Sequence, residues 1–300
     1  MQVRRRAVGR GILGGEVRFL ITFDIESEIL IYYYHRPSLL MISKAVITAA
    51  GLGTRMRNMT LIMPKALLPL IRRNEMPMLV PIIDLIIARL QEVGVSKFMI
   101  VVGRNGKPLI DYLMDKLFTD SLKAQISFTF QEKPLGFGDA VLRAEDFVNN
   151  DPFFVHADDG ILTRGYLEGV KLYEELSPDA VLFLRRVNNP SRYGIAVVRN
   201  EGMYNGYGLV RVLNVEEKPS NPKSNIAISA VYIFNRRIFD GLKSAKADGE
   251  LELTYGIENV INSGGEVYGL LLSDDSWLSV GDPESYFNTI IRTFNLHEGD

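Results

Sequence analysis

Residues 49–70 read AAGLGTRMRNMTLIMPKALLPL, a glycine loop followed by Arg55 and, ten residues further on, Lys65. Glycine admits positive φ and close approach of the backbone to a ligand. Clustered backbone N–H groups attract an anion, and the planar fork of an arginine suits phosphate oxygens. The loop therefore reads as a phosphate site. A second group is HADDGIL (156–162), which sets Asp158 and Asp159 after an apolar run. Carboxylates at the end of a parallel strand lie where α/β sheets bind ligands, and magnesium takes one or two carboxylates together with substrate phosphates. By itself Asp-Asp-Gly is also an ordinary turn. In QEKPLGFGDAV (131–141), Gln131 offers the donor and acceptor that reading a base edge requires, with Gly136 and Gly138 flanking Phe137. In VEEKPSNP (215–222), Glu217 can accept from sugar hydroxyls and Lys218 can meet an anion, although the string also suits a charged surface turn.

Positioning these groups requires a frame of strands. From residue 44 apolar strand-like runs alternate with helical patterns: KAVITA (44–49), KFMIVV (97–102), QISFTF (125–130), PFFVHA (152–157) and AVLFLR (180–185). Between them Leu79, Ile83, Ile86, Ile87 and Leu90 fall on one helical face, and 106–118, 138–148 and 165–176 also have a helical pattern. This alternation predicts a sheet with parallel strands and crossover helices. After residue 190 the runs GIAVVR (194–199), YGLVRVLNV (207–215) and AISAVYIFN (227–235) follow one another with few helices, which predicts an antiparallel addition. Residues 1–40 differ. They carry Arg4, Arg5, Arg6 and Arg10, then FLITFDIESEILIYYYHRP, and read as an appendage ahead of a complete domain over 41–300; a packed extra hairpin or helix is the alternative.

Composition narrows the chemistry. The 300 residues hold no cysteine, which excludes disulfides and thiol catalysis, and three scattered histidines (His35, His156, His297) argue against a His-rich metal site. A net charge of −2 gives no nucleic-acid footprint. No apolar run is long enough to span a bilayer, and Glu16 and Arg18 break what would be a signal-peptide core. The expectation is a cytoplasmic protein without membrane or nucleic-acid partners. GRGILG (9–14) matches GxGxxG but lacks the preceding strand and following helix that a dinucleotide site needs.

In this order, GLGTRM…PKALLPL, QEKPLGFGDAV, EEKP (216–219), PKSNIAISAVYIFN (222–235) and GELELT (249–254) closely resemble the sugar-1-phosphate nucleotidyltransferases, from about residue 43 onward. That family includes glucose-1-phosphate uridylyltransferases and thymidylyltransferases. The resemblance implies a Rossmann-like α/β fold: a mixed, mostly parallel sheet flanked by helices, with an antiparallel sugar-binding lobe. It implies that the backbone of Ala49, Ala50 and Gly51 faces the pyrimidine, with Gly53 and Thr54 in the same nucleotide loop and Gln131 and Gly136 completing base recognition. Arg55 and Lys65 would meet the triphosphate, Asp159 would hold Mg²⁺, and Lys218 would hold the sugar phosphate. Gly194, Glu217 and Glu250 would contact the sugar. The implied reaction joins a nucleoside triphosphate, UTP first and dTTP second, to a sugar-1-phosphate, with glucose-1-phosphate favoured. Relatives commonly form dimers or tetramers, so a homo-oligomer is expected.

The chain departs from the family where a second metal aspartate usually follows a tryptophan by two positions: WLSVGDP puts Ser279 there. Either Asp159 suffices with substrate phosphates and water, or Asp282 compensates. Met76 and Asn58 replace a common lysine and proline. The serine also keeps open a non-catalytic relative used for regulation or assembly.

Overall fold

The computed structural model describes residues 42–295 apart from 57, 74–76, 247–248 and 274, and of the first forty-one residues only the backbone of three strands. His35, Met76 and His297 lie outside the described residues. The chain divides into two compact units, Met1–Leu40 and Met41–Asp300. The first contains an antiparallel sheet of Arg5–Leu13, Glu16–Ile25 and Glu28–Tyr34. Residues 9–13 of GRGILG run inside its first strand, not in the strand-to-helix turn of a dinucleotide site. Gly14 lies outside the described residues.

The second unit is built on nine strands: β1 Lys44–Ala49, β2 Lys97–Val102, β3 Gln125–Phe130, β4 Phe153–Ala157, β5 Ala180–Arg186, β6 Gly194–Tyr204, β7 Tyr207–Glu217, β8 Ile226–Phe234 and β9 Val267–Leu271. Their order across the sheet is β5-β9-β7-β6-β8-β4-β1-β2-β3, with β5 also pairing β8. β4, β1, β2 and β3 run parallel, whereas β8 runs antiparallel to β4 and joins the antiparallel lobe. Every residue of β1 is buried, as a central parallel strand covered on both faces requires.

The helices are α1 Ile82–Glu92, α2 Lys107–Phe118, α3 Phe137–Leu142, α4 Tyr166–Leu176, α5 Arg237–Lys243, α6 Leu253–Asn262 and α7 Pro283–Asn295. Helix α1 buries Ile83, Ile86, Ile87 and Leu90 as their spacing predicts. Leu79 is different. It sits in a strand, Pro77–Pro81, and is 71% exposed, because Pro81 holds an extended backbone and the helix starts only after it. The helical span 138–148 splits into α3 and a single turn, Glu145–Val148. No helix among the described residues is long and apolar enough to cross a membrane.

This topology creates the site. The strand after β1 in sequence pairs on one side of it, and β4 pairs on the other, so the loops leaving β1 and β4 flank the point where connections diverge. Open α/β sheets bind ligands in that crevice, at the carboxyl ends of the strands. The β4 side is buttressed from below by His156, which is fully buried. Its Nδ1 lies 2.7 Å from the Ala157 carbonyl oxygen and its Nε2 2.8 Å from the Tyr166 hydroxyl. A carbonyl only accepts, so Nδ1 carries the proton. Tyr166 then donates to Nε2 while its oxygen accepts the Leu162 N–H at 3.3 Å. This closed chain ties β4, the following turn and α4 together.

Burial pushes the His156 imidazole down to about 4, against the pull of its neighbours. The unfolded chain protonates near 6.5, so the neutral ring's contribution is complete above that value and is lost as pH falls toward 4. Between neutral pH and about pH 5 the wild-type protein should therefore lose about 2 kcal/mol more stability than His156→Gln, read from urea unfolding at both values. Equal losses would show that the folded protein accommodates the charged ring.

Candidate functional site

The loop after β1 runs from Gly51 into a short 3-10 turn, Thr54–Met56. Gly53 has φ 62°, and a Cβ there would meet the Thr60 Cγ2 at 2.6 Å, so only glycine fits this bend. The Thr60 hydroxyl donates to the Gly53 carbonyl at 3.0 Å and fixes the loop on the next turn. Beside it lies a second loop, Gly103-Arg104-Asn105-Gly106, which the sequence reading passed over. Together with Ala49, Ala50, Gly51 and Lys65 it walls a narrow pocket. Its only signal was a Gly-Arg-Asn-Gly string between a strand and a helix.

On the other side of β1, Asp158 and Asp159 leave β4. Gly160 is required here because a Cβ would meet the Trp277 ring at 2.0 Å. The indole packs over the turn, and the short strand Gly160–Leu162 pairs antiparallel with Trp277–Ser279. The pairing sets Gly160 opposite Ser279, and the Val280 N–H donates to the Asp159 carbonyl at 2.8 Å. Ser279 thus stands beside Asp159, as the resemblance implies for this position. The Asp282 carboxylate, the candidate substitute, is already engaged: it accepts the Ser285 N–H at 2.9 Å at the start of α7 and pairs with Arg192 at 3.5 Å.

Lys65 joins the two sides. Its side chain is 9% exposed, with Nζ 3.3 Å from Asp159 Oδ2 and 3.9 Å from Asp158 Oδ1. Arg55, more than half exposed, reaches the same Asp159 oxygen at 4.0 Å. Burial alone would lower the Lys65 ammonium, but the two aspartates outweigh it and hold it above its ordinary value. Burial pushes the Asp158 carboxyl up to about 6 despite Lys65. Burial also works against Asp159, yet Lys65 and Arg55 keep it below the usual carboxylate range. Asp158 is the enclosed partner, and Asp159 the charged one that opens to the cleft.

That cleft, of about 430 Å³, extends from Arg55 and Asp159 across the antiparallel lobe. Gly194, Glu217 and Lys218 line it. Both Glu217 oxygens are occupied: Oε2 accepts from the Thr254 hydroxyl at 3.0 Å and Oε1 pairs with Lys218 at 2.8 Å. Lys218 also lies 3.5 Å from Glu252. Burial lowers the Lys218 ammonium, but Glu217 and Glu252 raise it further, so it is held charged. Of the GELELT acids, the structure places Glu252 rather than Glu250 on the cleft wall; Glu250 is exposed and absent from it. The cause is the helix start: Glu252 immediately precedes α6, where the chain turns into the lobe.

Gln131 is buried at the end of β3. Its amide donates to the Gly136 carbonyl at 2.9 Å and to the Asp139 carboxylate at 2.8 Å, leaving its oxygen as the group able to meet a ligand. Gly136 packs on the Leu251 backbone, where a Cβ would clash at 2.4 Å. Neither residue lines the two clefts described above.

For a metal ion, no cluster of three His, Asp or Glu side chains exists among the described residues. One charged, partly open carboxylate at Asp159, with a hydroxyl beside it, fits a magnesium ion that takes its remaining ligands from substrate phosphates and water.

The family model described as nucleotidyl transferase matches residues 44–293. A glucose-1-phosphate thymidylyltransferase of Streptomyces griseus is 29% identical over 241 residues, covering 80% of this chain and 62% of its own length. The chain thus spans just under two thirds of that relative. A UTP–glucose-1-phosphate uridylyltransferase of Mycoplasma pneumoniae is 30% identical over 250 residues, 74% of this chain and 82% of that protein. A solved UDP-glucose pyrophosphorylase complexed with UDP-glucose superposes with a TM-score of 0.72 at 24% identity, covering 85% of this chain and 99% of its own, and so shares the fold.

Lys65 carries the prediction from this geometry. Lys65→Met leaves the buried Asp158 and the partly open Asp159 without their cation and should cost about 3–5 kcal/mol in urea unfolding near pH 8. The loss should shrink near pH 5, where Asp158 takes up a proton. Adding Asp158→Asn should restore part of the loss. An unchanged midpoint in Lys65→Met would show that the ammonium does not hold the two sides together.

Proposed function

Because the chain belongs to the nucleotidyl transferase family, we propose that it joins a nucleoside triphosphate to a sugar-1-phosphate, releasing pyrophosphate and a nucleotide sugar. The observation that carries this reading is the seam at Lys65. This residue walls the glycine-loop pocket and its ammonium lies 3.3 Å from Asp159, which lines the larger cleft. Two anionic substrates would meet across it.

In this reading the loop Ala49–Thr54 cradles the nucleotide, with the Gln131 oxygen and the Gly136 segment on the base side. Arg55 and Lys65 face the triphosphate. Lys218, fixed by Glu217 and Glu252, positions the sugar phosphate, and Gly194 leaves room for the ring beside Glu217, where a Cβ would stand 3.2 Å from the carboxylate. An oxygen of the sugar phosphate attacks the α-phosphorus, and the bond to the pyrophosphate oxygen breaks. The nucleophile arrives as an anion, so no general base is needed, and the protein contributes alignment and charge neutralisation. Asp159 would hold Mg²⁺, which when bound supplies further neutralisation of phosphate charge. Residues 1–40 lie outside the family match and serve as an appendage.

UTP with glucose-1-phosphate is the first choice, because GLGTRM and GFGDAV resemble the uridylyltransferases. dTTP is the second, because PKSN resembles the thymidylyltransferases. The thymine methyl is worth only ~1–3 kcal/mol in a pocket, so one site can use both.

Pyrophosphate release with Mg²⁺ and glucose-1-phosphate, compared across UTP, dTTP, ATP and GTP, tests the reading. A pyrimidine triphosphate should give turnover, and Asp159→Asn or Arg55→Ala should reduce kcat by roughly 100-fold or more with the fold intact. Near-normal kcat in either variant would remove that residue from its role. Silence with all four triphosphates and a panel of sugar phosphates would overturn the reaction itself and leave the regulatory relative.

A further inference from the structure

The cleft holds a cation that the reaction above does not use. Arg185 is the next-to-last residue of β5 and lines the cleft wall. Its guanidinium stacks over the Tyr193 ring, with Cζ 4.9 Å from the ring centroid. Its Nε is buried and has no acceptor. The other cleft arginines are engaged: Arg55 with Asp159, Arg192 with Asp282, and Arg292 with the Asp275 and Trp277 carbonyls. On the neighbouring strand β8, the Ser229 hydroxyl also lines the cleft, is buried, and has no partner. An unpartnered buried donor costs free energy. Two such donors facing one cavity point to an acceptor supplied by the ligand.

Register indicates which part of the ligand. β8 pairs with β4 through Val231 and His156, and with β5 through Ile228 and Leu184. Because β4 and β5 both run antiparallel to β8, Asp159 and Arg185 leave the sheet on the same side, two strand spacings or about 10 Å apart. A sugar whose phosphate lies near Asp159 and Lys218 reaches Arg185 with the far side of its ring. Glu217 and Glu252 face the same cavity, where Lys218 pairs with both and offsets one of their two charges.

We infer that Arg185, with Ser229, is a specificity-determining pair that recognises a carboxylate on the sugar ring, so that the preferred acceptor is a hexuronic acid 1-phosphate in place of the glucose-1-phosphate that the sequence motifs suggest. The planar fork of arginine matches a carboxylate through paired, charge-assisted hydrogen bonds, whereas a neutral hydroxymethyl group in its place offers a single uncharged acceptor oxygen. The Tyr193 ring, 4.9 Å from Cζ, restrains the guanidinium and limits the freedom lost on binding. The inference rests on the sugar-phosphate reading.

Calorimetric titration of the full-length protein with glucuronic acid 1-phosphate and with glucose-1-phosphate separates the two. The wild type should bind the uronate roughly 10- to 100-fold more tightly. Arg185→Leu should erase that ratio while leaving glucose-1-phosphate affinity unchanged, and Arg185→Lys should keep part of it. Equal affinities in the wild type would overturn the inference. So would parallel weakening of both ligands by Arg185→Leu, which would place Arg185 on the shared phosphate. Binding of neither compound would sink the sugar-phosphate reading as well.

Discussion

One ammonium group, Lys65 Nζ, holds a buried aspartate, Asp158, and a partly open one, Asp159, at the point where the sheet opens. Without it, Asp158 and Asp159 would be like charges side by side in a poorly solvated turn, and one would have to stay protonated. With it, Asp159 remains ionised at the mouth of the cleft while Asp158 absorbs the penalty of enclosure. The same contact closes the chain between the β1 loop and the β4 loop. In the proposed reaction, substrate phosphate would compete for this cation and a metal ion would replace it on Asp159, so the resting pair would act as a preformed receptor for substrate charge.

The fold makes that contact inevitable. β1 lies between β4 and β2, and the connections leaving β1 and β4 run in opposite directions, so a crevice forms between their carboxyl ends. Gly53 bends the loop back onto Thr60, and Trp277 packs on Gly160 to aim Asp159 at the same crevice. The antiparallel lobe then supplies a second wall, where Glu217, Lys218 and Glu252 form a compact charged cluster. Positive groups on both walls, Arg55 and Lys65 on one and Lys218 on the other, suit the two polyanions of the proposed reaction.

Much of this was legible in the chain. Strands such as KAVITA, KFMIVV and QISFTF were visible because β-branched and aromatic residues run unbroken between polar turns, and their bounds match. The glycine loop was visible because glycines and a cation follow a strand directly. What stayed hidden depended on distant contacts. Leu79 fits a helical period, yet Pro81 blocks the helix from reaching it. Glu250 and Glu252 are equivalent by composition, and only the start of α6 decides which enters the cleft. Arg185 reads as the tail of a strand until Tyr193 and Ser229 are brought beside it.

The central claim is direct transfer between two aligned anions with no nucleophile from the protein. Cysteine is absent from the sequence, and His156 is enclosed with both ring nitrogens engaged. Exchange of labelled pyrophosphate into the nucleoside triphosphate tests it most directly, measured with the nucleotide sugar present and with the triphosphate alone. Direct transfer predicts label in the triphosphate only when the nucleotide sugar is present. Label appearing with the triphosphate alone would reveal a covalent nucleotidyl-enzyme and contradict the account, and no label under either condition would contradict the transfer itself.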